Sequence, residues 1–405
     1  MNLKQIEELE EKFGLPLYIF NSDQFIDNYN ELLSKFKAVY PNFKISYSYK
    51  TNYTPRVCQI VKDLGGYAEI VSDMEYELAK GLGYENNKII YNGPVKGCKL
   101  EEHILNGGLL NIDNYEEAKR VRNIAIKNTL NKLEVGIRFN IDVGADFISR
   151  FGFDEKSEEF SKSLKLLEDT PNISIVGVHC HISRARGLQA WEKRAKEMIR
   201  IADKYIKGVP KYISLGSGMY GRMDDELTQQ FQQPVPTYQD YAGVVLTLFA
   251  KHYKNTEEDK KPIIFTEPGT TLVSKYFDII CKVDNIRNVR GRNLASLTCC
   301  LYNLGEICSM KKLPIQVFGD EGEYYNSIDL MGYTCLEQDC LYPDYKGNIA
   351  VGNYILFGNV GGYSLVSKPP FIQPNCAVIE ISNDDNVALI KRQETNEDIF
   401  LTFVF

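Results

Sequence analysis

A lysine closing a β-like run and two histidines grouped within three residues are the side chains here best placed to do chemistry. From Lys44 onward Ile45, Tyr47 and Tyr49 alternate with Ser46, Ser48 and Lys50, so Lys50 ends the more polar face. An amine there can act as a nucleophile toward a carbonyl; taken alone, a solvated strand-end lysine is the better reading, because most lysines are merely solvated. Between Ser174 and His181 the residues Ile175, Gly177, His179 and His181 share one face, and they hold two of the 4 histidines. One satisfied core histidine and one loop histidine would account for that pair as well as a functional role does. From Val135 to Asn140, Gly136, Arg138 and Asn140 alternate with Val135, Ile137 and Phe139. A buried Arg138 needs an anionic partner, which makes it a candidate for substrate binding.

These side chains need elements to position them, and a series of β-like runs supplies the elements. The runs are Lys44 to Tyr49, Tyr67 to Val71, Lys88 to Asn92, Leu109 to Asp113, Val135 to Asn140, Ser174 to His181, Tyr212 to Leu215 and Pro262 to Thr266, with helical segments between them. Such an alternation predicts a (β/α)8 barrel with its chemistry at the C-terminal mouth; an open doubly wound sheet is the alternative. After Thr270 strand-like runs dominate, including Gln316 to Phe318, Tyr354 to Phe357 and Ala377 to Ile381, which predicts a separate all-β domain. The expected limits are 24–270 for the barrel and 271–405, with 1–23 packed on it, for the β domain.

The seventh and eighth runs lead into Leu215-Gly216-Ser217-Gly218 and Thr266-Glu267-Pro268-Gly269-Thr270. Those are positions where barrels bind phosphate, because bare backbone amides at glycines can close on an anion. A lysine, a histidine, a carboxylate and a glycine-rich anion loop thus converge on one mouth. That combination suits pyridoxal 5'-phosphate: an amine to hold the aldehyde, an imidazole against the ring, a carboxylate for the pyridine nitrogen and amides for the phosphate.

Composition narrows the classes. The formal charge of −7 and the lack of any long basic block disfavour nucleic acid as a partner. No apolar run is long enough to span a bilayer and the N-terminus has no signal-peptide core, so no membrane partner is expected. The 10 cysteines form no CxxC pair, which fits a reducing compartment, cytoplasmic by default. His179-Cys180-His181 lacks zinc spacing, and no metal is assigned.

The chain resembles the fold-type III, alanine-racemase-like decarboxylases, the group of diaminopimelate, ornithine and arginine decarboxylases. The resemblance covers nearly the whole chain. It rests on Tyr47-Ser-Tyr-Lys50-Thr-Asn52, Glu69-Ile-Val-Ser72-Asp-Met-Glu75, Arg150-Phe-Gly152, Gly177-Val-His-Cys-His181, Leu215-Gly-Ser-Gly218, Thr266-Glu-Pro-Gly269, Gly332-Tyr-Thr-Cys335 with Asp339, and Gly361-Gly-Tyr363. It implies that Lys50 holds the cofactor, His181 stacks on its ring, Glu267 pairs with the ring nitrogen, and Gly216, Ser217, Gly218, Gly269 and Tyr363 surround the phosphate. It also implies a homodimer with shared active sites, in which Cys335 of the second subunit donates a proton after carbon dioxide leaves. Without the resemblance Cys335 reads as a buried structural thiol.

Three positions depart from the family pattern. Thr270 stands where an arginine that contacts phosphate or substrate carboxylate is usual, and Leu336 stands where an acidic residue grips a distal amine. Arg184, in place of a serine, is expected to restore positive charge near the phosphate. The changes point to an acylated, conjugated or carrier-bound amino acid as the substrate in a biosynthetic pathway, with Arg138, Thr270, Leu336 and Glu337 near it. Should Glu337 substitute for the acidic residue one place earlier, a free diamino acid (meso-diaminopimelate, ornithine or lysine) is the alternative. A racemase of the same fold, or a non-catalytic relative, completes the range.

Overall fold

The computed structural model describes residues 1–144, 146–232, 234–383 and 386–405. The chain divides into two compact units, one of Asn28–Gly221 with Val235–Thr271, the other of Met1–Asp27 with Arg222–Pro234 and Leu272–Phe405. The limits expected from the sequence lack the excursion at 222–234. That segment joins the second unit through Gln230, which donates to the Lys312 carbonyl at 2.8 Å and accepts the Lys312 amide at 2.9 Å.

The chain opens with helix Leu3–Phe13 and strand β1 (Leu17–Asn21). The barrel strands follow: β2 (Phe43–Ser48), β3 (Tyr67–Ile70), β4 (Ile89–Tyr91), β5 (Leu109–Ile112) and β6 (Leu133–Asn140), then the short β7 (Phe153–Asp154) paired on β6, then β8 (Ile173–His179), β9 (Tyr212–Ser214) and β10 (Ile263–Thr266). All except β7 pair in parallel in chain order, and β10 pairs back on β2, so the sheet is closed rather than doubly wound. The eight runs read from the sequence match these strands to within a residue or two.

Glycine decides what fills the barrel. A Cβ on Gly136 would lie 2.1 Å from the Tyr212 hydroxyl, and one on Gly177 would lie 2.3 Å from the Tyr212 ring. The interior that the two glycines clear is thus taken by one tyrosine, whose hydroxyl donates to Asn111 Oδ1 at 2.8 Å. Two strand-to-helix corners repeat one device. Ser72 and Asn114 cap helices Asp73–Gly81 and Tyr115–Lys127 by accepting the amides of Glu75 and Glu117, whose carboxylates fold back to accept the amides of Val71 at 2.6 Å and Asp113 at 2.9 Å.

The second unit is built on a mixed sheet of β11 (Phe277–Val289), β12 (Arg292–Leu297), β13 (Ile315–Phe318), β14 (Glu323–Met331), β15 (Cys340–Ile349), β16 (Tyr354–Phe357), β17 (Ala377–Ile381) and β18 (Val387–Lys391). β1 lies inside this sheet, antiparallel to β11 and parallel to β17. Its Leu17 and Ile19 pack with Ile6, Ile280 and Ile379.

Candidate active site

Lys50 follows β2 directly in the short turn Tyr49–Thr51. Its Nζ donates to Glu69 Oε2 at 2.7 Å and to Ser48 Oγ at 2.8 Å, and Ser48 Oγ donates to the same carboxylate oxygen at 2.5 Å. Glu69, at the end of β3, is 1% exposed while the lysine side chain is 30% exposed, so the amine is the open end of a buried pair. Lys50 thus lies in a turn beyond β2 rather than on the strand, and its amine reaches back to Ser48, the last strand residue.

Glu267 is the other buried carboxylate. It follows β10 and is gripped by Ser214 Oγ at 2.7 Å, Asn92 Nδ2 at 3.1 Å and His179 Nε2 at 3.0 Å. Burial alone would raise its pKa, but the imidazoles of His179 and His181 outweigh that and hold it well below the ordinary carboxylate range. His181, two residues past β8, has its Nδ1 3.4 Å from Glu267 Oε2 and 3.4 Å from the Ser217 amide nitrogen. Burial pushes its pKa down to about 4, with Lys50 adding to the fall against the pull of Glu267, so the ring is neutral at pH 7. An ionised carboxylate and an uncharged imidazole stand side by side.

Asn92, one residue past β4, was not singled out from the sequence, yet its amide donates to both Glu69 and Glu267, each at 3.1 Å. Behind it Asn111 donates to Asn92 Oδ1 at 2.8 Å and accepts Tyr212, which ties the two carboxylates to the barrel core. Asparagines at strand ends are so common in turns that sequence alone does not mark this one.

The Gly216-Ser217-Gly218 loop lies against the segment after β8. Gly216 has φ 61° and Gly218 φ 95°, and a Cβ on either would meet the carbonyl oxygen of Cys180 at 2.5 Å or of Ile182 at 2.4 Å. Only glycine allows this left-handed backbone and this approach. Gly269 is close-packed for another reason: its Cβ would lie 2.0 Å from Thr51 Oγ1, beside the Lys50 turn. Thr270 starts the short helix Thr270–Val273.

Arg138 is buried and has the anionic partner that burial requires in Asp113, with Nη1 3.1 Å from Oδ1. Arg184 is exposed and its guanidinium lies 5.7 Å from the centre of the Phe147 ring, whereas the buried cation behind the glycine loop is Arg194.

In the other unit, Cys335, Leu336 and Glu337 share one loop between β14 and β15. Its organiser is Asp339, which accepts the amides of Leu301 at 2.8 Å and Thr334 at 3.0 Å and the Thr334 hydroxyl at 2.6 Å. A Cβ on Gly332 would strike that carboxylate at 2.2 Å, which explains the glycine at the head of the segment. Cys335 and Glu337 are exposed and Leu336 is half-buried, so the thiol is not the buried one that the bare sequence suggested. Tyr363 is 37% exposed with φ 55°.

Residues 26–274 match the family described as pyridoxal-dependent decarboxylase, pyridoxal binding domain. Over the whole chain, the diaminopimelate decarboxylase of Aquifex aeolicus is 26% identical across 97% of this chain and 93% of its own length. That of Methanocaldococcus jannaschii is 24% identical across 97% and 92%. The crystal structure of the M. jannaschii enzyme in co-complex with L-lysine superposes with a TM-score of 0.84 at 22% identity, covering 98% of this chain and 94% of that one. The described residues fit pyridoxal phosphate, since a partly open amine, a buried ionised carboxylate and two glycines that tolerate no Cβ lie at one barrel mouth. The chain belongs to the pyridoxal-dependent decarboxylases, carboxy-lyases that remove carbon dioxide from amino acids with this cofactor.

Proposed function

We propose that the substrate is a free diamino acid, decarboxylated at Cα in a homodimer whose sites are shared between subunits. The observation that carries this reading is the end-to-end match to diaminopimelate decarboxylases combined with the Lys50, Glu69 and Glu267 constellation at the mouth. When bound, pyridoxal phosphate supplies a conjugated sink for the electron pair released as the Cα–carboxylate bond breaks. Lys50 is the amine that would hold the cofactor's aldehyde. Ser48 and Glu69, both within hydrogen-bond reach of Nζ, hold the proton that Lys50 must lose to act as a nucleophile. Glu267, kept ionised, holds the proton on the ring nitrogen. His181, kept neutral, offers a flat face without adding positive charge beside it. Ser217 and Gly269 join the loop glycines around the phosphate. The partner subunit brings in its own copy of the 332–339 loop, so that a Cys335 thiol protonates Cα and a Glu337 carboxylate binds the distal ammonium. The exposure of both side chains supports that role.

Leu336 and Thr270 favour a second reading, in which the tail is acylated or carried on another molecule, because neither pairs with an ion. One panel separates the two. Purified protein with pyridoxal phosphate is offered meso-diaminopimelate, L-lysine, L-ornithine and their distally N-acylated forms, and released carbon dioxide is measured. A free diamino acid is expected to exceed its acylated form in kcat/KM by about 100-fold, the value of a buried ion pair made or lost; the reverse order would replace the first reading with the second. Lys50→Ala is the control, and should abolish both the cofactor absorbance band and turnover.

A further inference from the structure

Helix Leu188–Tyr205 buries Trp191, Arg194, Ala195, Met198, Ile201 and Ala202, so an arginine occupies a position on its apolar face. Arg194 is 0% exposed. Its Nη1 donates to the carbonyls of Leu215 at 2.9 Å and Ser217 at 2.7 Å, its Nη2 donates to that of Ile182 at 2.9 Å, and the guanidinium lies 4.1 Å from the Trp191 ring centre. Among the described residues no carboxylate pairs with it. A buried cation is costly, and its backbone carbonyls together with the more distant Glu267 carboxylate offset the charge only in part.

The direction of those carbonyls matters. In a trans peptide the C=O of one residue and the N–H of the next point opposite ways. With the Leu215 and Ser217 carbonyls drawn onto Arg194, the amides of Gly216 and Gly218 are turned away from it; that of Gly216 meets Ser214 Oγ at 3.4 Å, which leaves Gly218 to present its amide on the far side of the loop. The loop therefore has a cation behind it and the Gly218 N–H in front, and both glycines sit where a Cβ would strike the backbone of residues 180–182. A face of that kind is built for an anion.

We propose that Arg194 is a positioning residue for the cofactor's phosphate: through the Ser217 carbonyl it fixes the Gly218 amide toward the phosphate, and it provides, from behind the loop, the positive charge that Thr270 does not. This rests on the reading that the glycine loop faces the phosphate. In the full-length chain stripped of cofactor, dissociation constants are measured by absorbance titration for pyridoxal phosphate and for pyridoxal, which lacks the phosphate, in the wild type and in Arg194→Gln, Arg194→Met and Arg194→Lys. The wild type should prefer the phosphorylated form strongly. In the Gln and Met variants that preference should fall at least tenfold while pyridoxal affinity stays within about threefold, and Lys should be intermediate because it restores charge without the fork. An unchanged preference in the variants that fold overturns the role of Arg194, as does failure of all three to fold, which would make it a residue of the core alone. A wild type without preference would instead overturn the assignment of the loop.

Discussion

A carboxylate 1% exposed stays ionised only when its neighbours repay the lost hydration, and Glu267 has four such neighbours in Asn92, His179, His181 and Ser214. Glu267→Ala should therefore leave the cofactor bound, visible as a retained absorbance band, while kcat falls by about 10²–10³-fold, the range seen on removing a preorganised electrostatic group. Asn92→Ala should lower kcat by roughly tenfold, since it frees one hydrogen bond to each carboxylate without removing either. Near-native turnover in the first variant would show that the ring nitrogen has another partner. At this scale the sequence was informative where strand period applied: Gly177 clears space for Tyr212 from within β8, whereas Lys50 lies in the turn beyond β2 and reaches back to Ser48. Asn92 and Arg194 were less legible for different reasons. Asn92 carries no periodic signal, being one residue beyond a strand. Arg194 does carry one, at i+3 from Trp191 and i−4 from Met198, but a charged residue on a helix is ordinarily taken as solvated.

At the scale of elements, the start of helix Asp73–Gly81 joins folding to the site. Glu75 is 3% exposed and sits near both Glu69 and Lys50. Burial first, then repulsion from Glu69, pushes its pKa from 4.5 up to about 7 in spite of the Val71 amide and Lys50. The folded chain thus binds this proton more tightly than the unfolded one, and the associated stability, full below 4.5, is lost as pH rises through about 7. Glu75→Gln keeps an acceptor for Val71 but removes the ionisation. The variant's unfolding free energy should match the wild type's most closely below pH 4.5 and exceed it at pH 8, by an amount on the order of 3 kcal/mol at most. A difference that is independent of pH would count against this account. Strands and closure were readable in the sequence because each run is short, apolar and bounded by turn residues. The excursion at 222–234 was not, since its attachment depends on the side chain of Gln230 and not on any pattern.

At the scale of the whole molecule, the proposed sharing of sites between subunits makes a prediction that needs no structure of a dimer. On that proposal Lys50→Ala and Cys335→Ala each disable a different half of a shared site. Dissociated, mixed in equal amounts and reassociated, the two inactive proteins should recover about a quarter of wild-type activity, because half the dimers are mixed and each mixed dimer has one intact site. No recovery, with mixed dimers demonstrated, would mean that each chain completes its own site or that Cys335 is not the donor. Family and fold could be read from motifs spread along the chain; how two copies meet could not, because no single-chain pattern encodes a partner's surface.

The placement of β1 bears on how the polypeptide is made. Phe20 is in register with Phe277 on one side and Glu380 on the other, so the first strand must wait for nearly the last before its ladder is complete. The intervening barrel segment, whose strands pair in order, leaves the ribosome well before that point. A nascent chain arrested after residue 300 should therefore resist protease across the barrel while its first 20 residues are still cut, and release of the finished protein should be followed by a slower step in which its two ends find each other.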